Sequence, residues 1–174
     1  MKKSPLDMPL WAFSLAVYGG DGVADECLGL QEKLKLDVNL LLFAAFAGAV
    51  EGVRLDAKDI AAADTAVSGW HNEIVRSLRH ARRALKPASA DAGNPLRDTN
   101  ATLRAQVKAA ELEAEKIEQA MLWQWSRQQL ADRPHIARER ALMANLRGVL
   151  EFYGAATGVA VPRLLDAAVA YKGS

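Results

Sequence analysis

The chain has 174 residues, 51% of them hydrophobic and 25% charged. That is the composition of a folded globule and not of a disordered tail, and its length needs no disulfide or metal to hold a core together. Twenty-two basic against 21 acidic side chains leave a net charge of +1, which excludes a global polycation, and one cysteine, Cys27, excludes both a disulfide framework within the chain and a Cys-rich zinc site.

The alphabet is helical throughout, with no period-two alternation of branched residues. Asp7 is expected to cap a first helix that runs to Tyr18 and stops at Gly19-Gly20. Its Met1-Lys2-Lys3 start resembles a short targeting segment. Asp7, Pro9 and the lack of a small-residue cleavage site argue against one, and the expected location is cytoplasmic. Asp21 is expected to cap a second helix with Val23, Cys27, Leu30 and Leu34 on one stripe. Asp37 caps a third, from Val38 to about Val50, apolar almost all round and therefore the buried centre. At 13 residues that run is too short to span a bilayer.

Asp56 and Asp59 open the next helical region as a variant capping box. It runs to Lys86 with a break near Ser68-Gly69, and Pro87 is expected to stop it. Residues 87–95 read as a flexible loop. From Leu96 the pattern becomes heptads: Leu96, Leu103, Ala110 and Ile117 in one series, Asn100, Val107, Ala114 and Met121 in its companion. A helix over 95–130 would be roughly 54 Å long, so it must protrude, kink or pack on another subunit. Asp132 and Pro134 start a return helix striped with Ile136, Met143, Leu146, Leu150 and Tyr153, and Pro162 opens a last one. The expected fold is an all-α bundle of seven or eight helices with a long, heptad-patterned antiparallel hairpin. It forms a single domain over 1–174, made of compact helices over 11–86, the hairpin over 95–154 and a short helix over 160–172.

Chemical motifs are sparse. No phosphate-binding glycine loop and no nucleophile elbow is present, and Gly19-Gly20-Asp21-Gly22 follows no strand. Cys27, His71, His80 and His135 stand at no metal-ligand spacing, so neither a metal nor a cofactor is expected. Asp21 and Asp25, followed by Glu26, have the spacing of magnesium-binding carboxylates, but a second acidic motif is missing and a cap explains Asp21 better.

The strongest charged feature is Arg76, Arg79, Arg82, Arg83 and Lys86, five cations within eleven residues. On a regular helix Arg76, Arg79, Arg83 and Lys86 share a face opposite Trp70, Ile74, Leu78, Ala81 and Leu85. Four uses are open: pairing with Glu111, Glu113, Glu115 and Glu118 across a helical hairpin, an acidic protein partner, an anionic membrane surface, or a nucleic-acid backbone, the last disfavoured by the balanced charge. Trp123 and Trp125, two apart, face different sides of their helix, so one of them is a candidate for an interface.

The Trp11-x-Phe13-Ser14-Leu15, Gly22-Val23-x-x-x-Cys27-Leu28 and Asp37-Val38-Asn39-Leu40-Leu41-Leu42-Phe43 motifs resemble the N-terminal signature of a proteobacterial family of small proteins known only as a domain of unknown function. Trp70-x-x-x-Ile74-Val75-x-x-Leu78-Arg79-x-x-Arg82-Arg83-x-Leu85-Lys86 resembles its second block and Glu111-Leu112-Glu113-Ala114-Glu115 a third. Asp21 stands where that family has proline. The resemblance implies a bacterial cytoplasmic helical protein and supplies no catalytic residue.

The residues alone favour a non-enzymatic interaction or assembly protein. Its interface candidates are Leu103, Val107, Ala110, Ala114, Ile117, Trp123 and Trp125, and its partner is a second copy in a homodimer. The alternative is a small-ligand protein or enzyme whose pocket uses Asp37, Asn39, Trp70 and Arg79.

Overall fold

The computed structural model describes residues 6–173. Among these the chain is helical: α1 (Pro9–Tyr18), α2 (Val23–Leu34), α3 (Val38–Ala49), α4 (Ala57–Trp70), a π-helical turn (His71–Val75), α5 (Arg76–Ala84), α6 (Lys86–Ala90), α7 (Arg97–Gln129), α8 (Arg138–Phe152) and α9 (Pro162–Ala170). The fold class is all-α. None of these helices is long and apolar enough to cross a membrane. The chain divides into two compact units, residues 6–66 with 119–173, and Val67–Glu118.

The first unit is built around α3. Its Leu40, Leu41, Phe43, Ala44, Ala45 and Ala47 have no solvent exposure, as an almost uniformly apolar helix requires. Asp37 caps it, its carboxylate accepting the Asn39 N–H at 2.8 Å. Helix α8 lies along α3 at a distance that only glycine permits. A Cβ on Gly48 would stand 2.4 Å from the backbone of Leu142.

One polar side chain is sealed inside this contact. Asn145 of α8 is 0% exposed. Its amide nitrogen donates to the carbonyls of Ala44 (3.1 Å) and Val53 (2.9 Å), and its oxygen accepts the N–H of Leu55 at 2.8 Å. Those groups belong to α3 and the link to α4, and the bonds to Val53 and Leu55 satisfy backbone groups of that link that no helix ladder pairs. That link turns at Gly52, which adopts φ +67°, a left-handed conformation costly to any residue with a Cβ.

The expected caps of the first two helices move. Met8, with extended backbone and no side-chain bond, precedes α1 in place of Asp7. Gly22, at φ +72°, precedes α2 in place of Asp21, because the chain must turn through left-handed space there. Asp21 and Asp25 are exposed, and Glu26 accepts the N–H groups of Arg163 and Leu164 to cap α9. The Asp56–Asp59 capping box forms as expected, each carboxylate accepting the other residue's N–H. Arg133 pairs with both. The Asp56 carboxyl is held below its ordinary range, first by its bond from the Asp59 N–H.

The second unit contains the π-helical turn, α5, α6 and the stretch of α7 up to Glu118. No break occurs at Ser68-Gly69, and the helix changes type at His71 instead. Pro87 does not end the helical path. Helix α5 finishes at Ala84, and Pro87 sits in the first turn of α6, where its missing N–H costs nothing. The loop is correspondingly shorter, and Asn94 accepts the Leu96 N–H at the entry to α7.

Candidate functional site

The π-helical turn sets the chemistry of the second unit. A π turn carries one residue more than an α turn, so everything after it is rotated by about 100°. Val75 is buried, while Ile74, expected on the apolar stripe, is exposed. The same rotation divides the basic run. Arg79 and Arg82, three apart and so neighbours on one face of α5, both turn toward α7. Arg79 donates to Glu111 at 3.0 Å and to Glu115 at 2.7 Å, and Arg82 donates to both oxygens of Glu111.

Burial alone would raise the Glu111 carboxyl. Hydrogen bonds from Arg82 and Arg79, and their charges, outweigh it and hold the group below the ordinary carboxylate range. Arg82 is raised in turn, first by its bond to Glu111. The remaining cations of the run, Arg76, Arg83 and Lys86, have exposed positions on α5 or beyond it, and Arg76 bonds back to Asn72 at 3.0 Å.

At the head of the turn Trp70 and His71 face α7. The Trp70 indole N–H donates to the Ala114 carbonyl at 2.9 Å. His71 Nδ1 lies 3.1 and 3.3 Å from the two oxygens of Glu118, one helical turn further on. His71 is buried and the Glu118 side chain has 0% exposure. Sequence spacing cannot reveal a pair 47 residues apart. The one local sign was an acid, Glu118, in register with Glu111 and Ala114 on a helix face.

The heptad residues have separate fates. Ala114 is buried and Val107 and Ile117 are half-buried, whereas Leu103 (46%), Leu96 (61%) and Ala110 stay in solvent. Leu112, outside the heptad series, is exposed too. The face of α7 turned toward α5 therefore carries Glu111, Glu115 and Glu118, while leucines point outward.

In the first unit Asn39 accepts from the Gln119 amide at 3.0 Å, and both are buried. The Tyr153 hydroxyl donates to Asp64 at 2.8 Å. Burial first, then the charge of Asp37, pushes that hydroxyl well above the ordinary tyrosine range. Trp123 and Trp125 are both half-buried, edge-on to Phe46 (5.7 Å) and Phe43 (6.0 Å) respectively. Two neighbouring phenylalanines of α3 thus occupy both indoles. Met143 of the return helix is exposed, and α8 presents Leu142, Asn145 and Leu146 to the interior instead.

A family model described as protein of unknown function, DUF2390, matches residues 9–122, and the chain belongs to that family. The description assigns no activity. Comparison with curated proteins and with solved structures finds no match.

Proposed function

We propose that this family member is a small helical assembly module that pairs with a second copy of itself through the outward face of α7. The observation that supports this most is the solvent exposure of Leu96 and Leu103 in a heptad register. A strip with one heptad period is complementary to its own copy, and two-fold pairing closes it without leaving an open edge. The exposed Ala110 lets the paired helices approach closely.

Charge favours this over the other partners. Arg79 and Arg82, the centre of the basic run, are held by Glu111 and Glu115, which weakens the case for an acidic protein or a nucleic acid on that face. A bacterial, cytoplasmic setting belongs to the same reading. It is supported by the motif resemblance and by Cys27, a single thiol that burial, then the Glu26 charge, pushes up to about 12, leaving it unreactive.

Light scattering at tens of micromolar tests the pairing. The expected mass is twice 18.8 kDa, falling to that of one chain in Leu103→Glu with helix content unchanged. A wild-type mass of one chain overturns the proposal.

A further inference from the structure

We propose that the second unit binds a diphosphate group between Lys86 of α6 and Arg104 and Lys108 of α7. Three observations converge on these residues. The first is register. The Arg79–Glu115 bond marks one flank of the seam between α5 and α7. Lys86 follows Arg79 by seven residues, and Lys108 precedes Glu115 by seven. The helices run antiparallel, since His71, Arg79 and Arg82 meet Glu118, Glu115 and Glu111 in turn. Both displacements, about 10.5 Å at 1.5 Å per residue, therefore point the same way. The bonds of Leu85 to Ala81 and of Ser89 to Leu85 carry the helical register from α5 into α6. Lys86 and Lys108 thus stand opposite each other, and Arg104 lies one turn beyond Lys108 on the same flank.

The second is charge. At this point the seam changes from opposite charge to like charge. Glu111 and Glu115 pair with Arg79 and Arg82, whereas among the described residues no carboxylate pairs with Lys86, Arg104 or Lys108. The exposed Arg83 borders the same flank. Cations facing one another across two helices repel, and an anion bound between them turns that repulsion into attraction.

The third is Arg104 itself. It is half-buried, and its Nε is out of solvent with no hydrogen-bond partner among the described residues. A guanidinium that has lost hydration at one nitrogen without compensation gains from an oxyanion at its other donors, and phosphate oxygens match its fork. The size of the cluster selects the ligand. Lys108 to Arg104 covers about 6 Å of helix, and Glu111 and Glu115 close one end of the row. A nucleic-acid backbone needs a longer row of cations. A diphosphate fits within the turn, and its several negative charges meet all three cations.

The experiment titrates the full chain by calorimetry at fixed ionic strength with inorganic diphosphate, inorganic phosphate and ADP. Wild type is expected to bind one inorganic diphosphate, about tenfold or more tighter than inorganic phosphate. Lys86→Glu combined with Lys108→Glu is expected to abolish binding. Both positions are exposed, so the variant keeps its fold, which circular dichroism verifies. Arg104→Gln is expected to weaken binding about tenfold. Arg76→Gln removes a cation of the same run ten residues from Lys86 and is expected to leave the affinity unchanged. ADP binding tighter than inorganic diphosphate supports the site with a nucleotide as the source of the group, and equal or weaker ADP binding supports it with a simpler diphosphate. No binding by wild type, unchanged affinity in the folded Lys86/Lys108 variant, an equal loss in Arg76→Gln, or tighter binding of a single-stranded oligonucleotide than of inorganic diphosphate overturns the proposal.

Discussion

The two compact units solve the same problem by opposite means. In the first, an apolar helix is enclosed on all sides, and its deepest polar group, Asn145, has every bond made. In the second, the helices meet through Arg79, Arg82, Glu111 and Glu115, and the leucines of α7 lie outside. Apolar burial is cooperative and indifferent to pH, whereas an ion-pair seam is worth little net free energy and depends on the protonation of its acids. The comparison teaches that the first unit draws its stability from apolar burial, while the second closes on charge and turns Leu103 and Leu112 to solvent.

The largest effects are therefore expected in the first unit. Phe43→Ala, at a fully buried position edge-on to Trp125, should cost about 3–5 kcal/mol in a denaturant titration. A loss below about 0.5 kcal/mol, the range of surface substitutions, would break the comparison. Asn145→Ala follows. It leaves the Val53 carbonyl and the Leu55 N–H without their Asn145 partner, each worth about 1–3 kcal/mol when buried, and a loss equal to that of an exposed site would contradict the role given to this residue.

Acid sharpens the contrast. Glu111 titrates below its ordinary value of 4.5 in the folded chain. A lowered carboxyl contributes stability above the unfolded value and loses it as pH falls through the folded one. The second unit should therefore hold its protection at pH 5 to 7 and lose it progressively below about 4.5, before the first unit responds. Hydrogen exchange at a series of pH values reads this directly, and simultaneous loss in both units would count against it. A smaller effect is expected for Asp37→Ala, about 1 kcal/mol through the lost cap of α3, measured by the same denaturant titration. A change indistinguishable from zero would mean that the Asp37–Asn39 bond contributes nothing.

How much of this was legible in the sequence follows from the physics of each element. Helix α3, its Asp37 cap and the Asp56–Asp59 box were legible because capping and all-round apolarity are local signals. The π-helical turn was not. It inserts one residue without any change in composition, so a 3.6-residue period carried through His71 placed Ile74 inward. Asn145 read as one polar residue on an amphipathic helix, and only the approach of α3 shows what it bonds. His71 and Glu118 come together through tertiary folding across 47 residues, beyond the reach of spacing arguments. The glutamates of α7 and the cations of α5 were recognisable as partners by sign, but the particular pairs depend on the rotated register.

Hydrogen exchange at two protein concentrations tests most directly the claim that the second unit leaves its leucines for a second copy. The account predicts that amides of α7 from Arg97 to Ala110 gain protection between about 1 μM and tens of micromolar, while those of α3 stay unchanged and Leu103→Glu removes the gain. Protection over Arg97–Ala110 that is the same at both concentrations would contradict it.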